Sequence, residues 1–150
     1  MVNLTYLVGI GLSLLLSGLI GYERETQDKS AGLRTTMLIC LGATLTVIFT
    51  LELVKLAKPL AMDFDMIRAI AYYLVAIGFV GGGIITKSGK KLRGITTSAL
   101  LLPVAVVGFF CGLGAYALAV ISAICVYFIL RLKYIKIKIE MITKKRRKKR

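Results

Sequence analysis

The sequence predicts an all-α fold, a polytopic membrane protein of about five transmembrane helices, and three observations carry that prediction. The 150 residues are 57% hydrophobic with a mean hydropathy of +0.81, well above the usage of soluble domains. The apolar residues come in long runs, and about 20 of them in a helix cross a hydrocarbon core roughly 30 Å thick. Between the runs, Lys and Arg fall on alternate loops, as they do where one membrane face collects the basic residues. The expected spans are 4–22, 35–54, 68–86, 95–111 and 115–132, one transmembrane domain over 1–132, followed by a basic tail over 133–150.

Span 1 is read as a retained helix and not a cleaved leader, because no Lys or Arg precedes Arg24 and Ser17-Gly18-Leu19 is a poor cleavage site. Gly9, Ser13, Ser17 and Gly21 recur every four residues, which lines small groups along one helical stripe where another backbone can approach closely. Span 2 carries Thr44 and Thr46, and the loop after it holds Pro59, Asp63 and Asp65. Span 3 ends in a glycine-rich segment, Gly78, Gly81, Gly82 and Gly83, open to either close packing or a local break. Residues 87–94 read as a basic loop. In span 4, Pro103 removes a backbone N–H and is expected to kink the helix, and Gly108 and Gly112 form a second small-residue pair. A short connection at 112–114 leads to span 5.

In the tail, Ile135, Ile137 and Ile139 alternate with Lys136 and Lys138 as in a strand, while Ile135, Ile139 and Ile142 share a helical face, so periodicity leaves both open. Lys144, Lys145, Arg146, Arg147, Lys148, Lys149 and Arg150 are consecutive cations. Such blocks are usually disordered, and beside a span they attract anionic headgroups by about 1 kcal/mol per residue. With five spans, every Lys and Arg except Lys55, Lys58 and Arg68 lies on the side of the tail. The positive-inside rule then puts the C-terminus in the cytoplasm and the N-terminus outside the cell membrane.

The composition also excludes chemistry. The chain has no His, so His-based acid–base catalysis and His metal ligation are absent. Cys40, Cys111 and Cys125 sit inside apolar runs with no CxxC spacing, and they read as small apolar fillers. No nucleophile–base pair is recognisable, so neither an enzyme nor a resident cofactor is expected.

The candidate site lies in two charged hairpins. Glu23, Arg24 and Glu25 follow span 1 directly, and Arg34 precedes Thr35 and Thr36, which begin span 2; Arg93 and Gly94 stand at the corresponding turn, before Thr96 and Thr97 at the start of span 4. A carboxylate at a membrane interface wants a partner, so Glu23 or Glu25 is expected to pair with Arg34 or Arg93, and a continued helix would also pair Glu25 with Lys29. The threonines read as helix caps. Two helix N-termini converging there would make a positive-dipole site suited to anions. A cation site would instead need Glu23 and Glu25 to dominate, with Thr hydroxyls and Gly carbonyls as oxygen ligands for Mg²⁺. Gly18-Leu-Ile-Gly21 leading to Gly32-Leu33-Arg34-Thr35-Thr36, and Gly78-Phe-Val-Gly81 leading to Gly94-Ile95-Thr96-Thr97, suggest a parallel two-helix-hairpin repeat.

These same residues, Gly21-x-Glu23-Arg24-Glu25, Ala31-Gly32-Leu33-Arg34-Thr35, Ile77-Gly78-Phe79-Val80-Gly81-x-Gly83-Ile84-Ile85 and Arg93-Gly94-Ile95-Thr96-Thr97, together resemble the membrane domain of the MgtC/SapB family over about residues 18–132. Glu23, Arg24, Arg34, Gly81, Arg93, Gly94 and Thr97 match its motif positions. The soluble C-terminal domain of longer members is not expected here. The resemblance implies a role in growth at low Mg²⁺ and in ion and ATP homeostasis. It implies a regulator of ion homeostasis or membrane energetics that packs against a membrane-protein partner. The alternative is a transporter or channel subunit for a small ion, its pathway between the glycine-rich hairpins. Expected partners are the bilayer, anionic headgroups at the tail, a membrane protein and further copies of the chain; nucleic acid is not expected. Deletion of residues 144–150 should leave folding intact and weaken binding to anionic vesicles, measured by co-sedimentation; unchanged binding would remove the lipid role of the tail.

Overall fold

The computed structural model describes residues 3–58, 65–89 and 91–147, with side chains described through Leu132. The elements are α1 (Leu4–Glu25), α2 (Leu33–Ala57), α3 (Met66–Ile84), a short hairpin of β1 (Thr86–Ser88) and β2 (Lys91–Arg93), α4 (Ile95–Gly112) and α5 (Tyr116–Arg147). Helices α1 to α4 are each long and apolar enough to cross a membrane, and α5 contributes a shorter apolar segment, Tyr116–Leu132. Pro59 and Asp63 lie outside the described residues. Asp65 caps α3, its Oδ1 accepting from the Arg68 N–H at 3.1 Å.

Helix α4 is the axis of the bundle and packs against α1, α2, α3 and α5. Its two faces build two cores. On one, Leu100, Val104, Val107 and Cys111 meet Ile20 of α1, Cys40 of α2 and Ala119, Ala123 and Val126 of α5. On the other, Leu101, Ala105 and Phe109 meet Ala43 and Val47 of α2 and Ile77 of α3. Tyr73 closes that second face, its ring edge-on to Phe109 at 5.6 Å and its hydroxyl donating to the Ile39 carbonyl at 2.8 Å. Pro103 sits inside α4, and the helix continues through it to Gly112.

Large apolar side chains such as Leu15, Leu38, Phe49, Val75, Phe79 and Phe128 face outward, and the closest helix contacts are made at small residues beside core residues such as Leu100, Leu101 and Phe109. Lipid tails solvate Leu and Phe as well as a protein interior does, so the helices gain little by burying them. Close backbone contact and hydrogen bonding hold the bundle instead. The α2–α4 crossing is close. A Cβ on Gly108 would overlap the Cys40 carbonyl and the Ala43 side chain, and one on Gly112 would stand 2.7 Å from both the Thr44 carbonyl and Val47 Cβ. The same approach lets Thr44 Oγ1 lie 3.0 Å from the Gly108 carbonyl while also reaching Cys40 O in its own helix. On α1 the predicted stripe is buried throughout: Gly9 lies against the Cys111 backbone, and Gly21 against Leu33 and Thr36.

Three readings of the sequence are revised. The glycine-rich end of α3 is continuous helix: Gly81 packs on Ser98, while Gly78, Gly82 and Gly83 have open space beside them, so the segment is neither broken nor close-packed along its length. The basic loop after it is an antiparallel hairpin pairing Thr86 with Arg93, Lys87 with Leu92 and Ser88 with Lys91. Its turn carries Gly89 at φ +62°, a conformation glycine reaches without strain, in a two-residue connection typical of tight hairpins. The tail's period, open between strand and helix in the sequence, is helical over the described residues. The α5 backbone stays helical through the cations Lys144, Lys145, Arg146 and Arg147, and Lys148, Lys149 and Arg150 lie outside the described residues.

The packing predicts opposite results for two alanines. Gly108→Ala should destabilise the bundle by about 1–3 kcal/mol, since backbone must move to make room. Gly82→Ala should be neutral or stabilising by up to about 1 kcal/mol. Thermal unfolding in detergent would measure both, and equal effects would count against the α2–α4 seam.

Candidate functional site

Helix α1 does not stop at Tyr22. It runs one turn further, through Glu25, and that turn carries the charged residues into the protein. Glu23 is 5% exposed and Arg24 4% exposed. The chain reverses over the next residues, with the Gln27 and Lys29 N–H groups donating to the Arg24 carbonyl and Asp28 at φ +52°. Helix α2 then leaves from Gly32.

Adjacent residues on a helix point about 100° apart, so Glu23, Arg24 and Glu25 serve three different neighbours. Arg24 reaches α4, donating from a terminal guanidinium nitrogen to Thr97 Oγ1 at 2.6 Å. Thr97 is itself 3% exposed. The Arg24 Nε–H has no partner among the described residues. Glu23 turns toward α5, and Oε1 accepts from the Gln27 side-chain amide while Oε2 has no partner among the described residues. Glu25 Oε2 accepts the Leu33 N–H at 2.8 Å and so caps α2 from the preceding helix.

The expected pairing of Glu23 or Glu25 with Arg34 or Arg93 is therefore corrected. Among the described residues the salt bridges are Lys55–Glu52 and Arg68–Asp65. Arg34 and Arg93 are exposed. Helix α1 ends at Glu25, so Glu25 and Lys29 are not stacked one helical turn apart. The threonines are not caps either. The N-cap positions are Gly32 and Gly94, and Thr36 and Thr97 lie inside their helices. Thr36 is buried, its hydroxyl within 3.1 Å of the carbonyls of Ser17, Gly32 and Leu33. Thr35 is half-buried and Thr96 exposed.

The two glycines of the expected repeat make similar contacts. Gly21 of α1 and Gly81 of α3 hold equivalent places, each against a hydroxyl side chain in the opening turns of the following helix, Thr36 and Ser98. The two helix starts differ in electrostatics. Glu25 already answers the positive end of α2. Gly94, held at φ +87° against the Ile84 carbonyl where a Cβ would overlap it, gives α4 no side-chain cap.

The open start of α4 faces two cavities. One of about 440 Å³ is lined by Arg24, Gln27, Lys29, Gly94, Thr96 and Thr97 among others. The other, about 660 Å³, joins the α1–α2 turn at Asp28, Lys29 and Ser30 to Arg93, Gly94 and Thr97. Of the predicted site residues, Arg24, Arg93, Thr96 and Thr97 come together here; Glu23 and Glu25 face elsewhere, and neither Arg34 nor Thr35 lines either cavity. Gln27 and Lys29 were missed. Their polarity beside Arg24 was readable, but their place in the cavity wall depends on the turn at Asp28. The arrangement suits an anion: a helix N-terminus, a buried guanidinium with a free donor, and Lys and Arg at the rim. The oxygen ligands for Mg²⁺ do not assemble, since Glu23 and Glu25 diverge and, among the described residues, no three His, Cys, Asp or Glu side chains cluster.

The Arg24–Thr97 contact predicts coupling. Arg24→Ala and Thr97→Val should be non-additive by about 1–2 kcal/mol in a double-mutant cycle. Glu23→Ala and Arg34→Ala should add independently, and coupling in the second cycle alone would overturn the geometry.

The model of the MgtC family matches residues 10–136. The protein named MgtC of Brucella abortus is 38% identical over 112 residues, covering 75% of this chain and 44% of that protein. The protein named MgtC of Salmonella typhimurium is 33% identical over 127 residues, covering 84% of this chain and 51% of that protein. The chain thus spans about half the length of the curated relatives it matches. No solved structure matches.

Proposed function

The chain belongs to the MgtC family of membrane proteins, and we propose that it is a regulator of Mg²⁺-linked ion homeostasis or membrane energetics that binds a small oxyanion between its two hairpins. The carrying observation is Arg24: a guanidinium 4% exposed, fixed by Thr97 at the uncapped start of α4, with one N–H left to donate. Isolated buried charge is costly. Glu23 is the next residue along the chain and offsets part of that cost, but its carboxylate is turned toward α5. A phosphate or sulfate in the cavity beside Thr97 would take the free donor and the positive end of the helix together.

Such a ligand would bridge α1 to α4. Because α4 packs on every other helix, the state of the site would be felt across the bundle and on its lipid-facing sides. That is the behaviour needed of a protein acting through helix packing with a membrane partner. The positive-inside rule puts the site on the cytoplasmic side of the cell membrane, with the tail.

The alternative, a transporter or channel subunit for a small ion, would have to build its pathway without a break in the glycine-rich end of α3, which is continuous helix. No catalytic role is proposed.

Inorganic phosphate or sulfate should raise the melting temperature of the purified protein in a saturable way, following the ligand-linkage relation. Arg24→Gln should abolish the shift and Lys29→Gln weaken it, while Arg34→Gln, at a position away from both cavities, keeps it. A shift unaffected by Arg24→Gln would sink the anion site. Flux of Mg²⁺, K⁺ or small anions into proteoliposomes would replace the regulatory reading with a transport one.

A further inference from the structure

On the side of α1 away from the anion cavity, α1 and α5 enclose a cleft of about 410 Å³. Leu16, Leu19, Ile20, Ala123 and Ile124 wall it, and Leu19 and Ile124 are more than half exposed on the lipid-facing surface. The polar end is formed by Glu23, Thr26, Tyr127 and Arg131. Glu23 and Arg131 both lie at the ends of their apolar helical segments, Leu4–Glu25 and Tyr116–Leu132, the level at which headgroups sit.

Two groups at that end are under-used. Glu23 is 5% exposed, lines the cleft, and has Oε2 without a donor among the described residues. Arg131 donates to the Tyr127 hydroxyl at 2.7 Å and lies over that ring, and as an exposed guanidinium it has further N–H groups to offer. An occupant must therefore bring a cationic hydrogen-bond donor, an anionic acceptor and an apolar chain.

We infer that this cleft binds a phospholipid with a primary-ammonium headgroup, of the phosphatidylethanolamine type. The ammonium donates to Glu23 Oε2, the phosphate meets Arg131, and the first part of one acyl chain lies along Leu16, Leu19 and Ile124. A quaternary headgroup carries the same charges but no N–H, so it leaves the carboxylate oxygen without a donor. A bare divalent cation would find one carboxylate where several oxygen ligands are needed. The inference is independent of the anion site, which uses Arg24 on another side of the helix.

The test is native mass spectrometry of the full chain, released from detergent holding equal amounts of phosphatidylethanolamine and phosphatidylcholine with matched acyl chains. Wild type should retain the ethanolamine lipid by about tenfold over the choline lipid, the ratio expected for one charge-assisted hydrogen bond in a partly wet site. Glu23→Gln should bring that ratio close to one. Arg131→Gln changes an exposed residue and should leave the bundle folded; it should lower retention of both lipids and keep the preference. Equal retention by wild type, or a preference that survives Glu23→Gln, overturns the proposal.

Discussion

Between α2 and α4 the backbones come close enough that nothing larger than hydrogen fits at Gly108, and the other helices are arranged around that contact. In water the same crossing could be held by Leu and Phe. In lipid those side chains gain little by turning inward, so stability rests on backbone approach and on hydroxyls that find carbonyls across the gap. Thr44 does this at Gly108. Thr36 does it toward Ser17, where Gly21 lets α1 lie against the start of α2. The result places α4 at the centre and leaves many of the large apolar residues to the bilayer.

That arrangement also explains why a charged turn can be buried. Helix α1 carries Glu23 and Arg24 one turn past the apolar run, and α4 and α5 are close enough to receive them on separate sides. Arg24 meets a threonine and an uncapped helix start; Glu23 meets an amide and an apolar cleft. The two charges are neighbours in sequence, yet they front different cavities. A pair of adjacent opposite charges on an exposed helix end would be an ordinary solvated terminus. Burial gives each of them its own chemistry.

The sequence made the membrane class, the span order, the small-residue stripe of α1 and the chain position of the candidate charged residues legible. Each depends on local signals: long apolar runs, a four-residue spacing, charge beside glycine. Partner choice was less legible. Charge complementarity pointed to Glu23 or Glu25 with Arg34 or Arg93, but the helix continues through Glu25 and rotates the three charged residues to different neighbours. Arg24 found a neutral hydroxyl 73 residues away, a pairing no local spacing encodes. The glycines of α3 looked alike in sequence, but Gly81 faces Ser98 while Gly82 and Gly83 face open space. The tail offered strand and helix periods together, and its continuity with a long apolar helix favoured the helical one.

Gln27 belongs to two sites at once. Its side-chain amide donates to Glu23 beside the α1–α5 cleft, and the same residue stands in the wall of the cavity that holds Arg24 and Thr97. An amide has two N–H donors on one planar group, so it cannot turn toward one wall without changing what it gives the other. If both cavities take ligands, a re-aiming of Gln27 by one would alter the other's affinity, and thermodynamic linkage would make that influence equal in both directions. One side chain in a turn would then give the headgroup level of the bilayer and the polar end of the bundle a common, two-way variable.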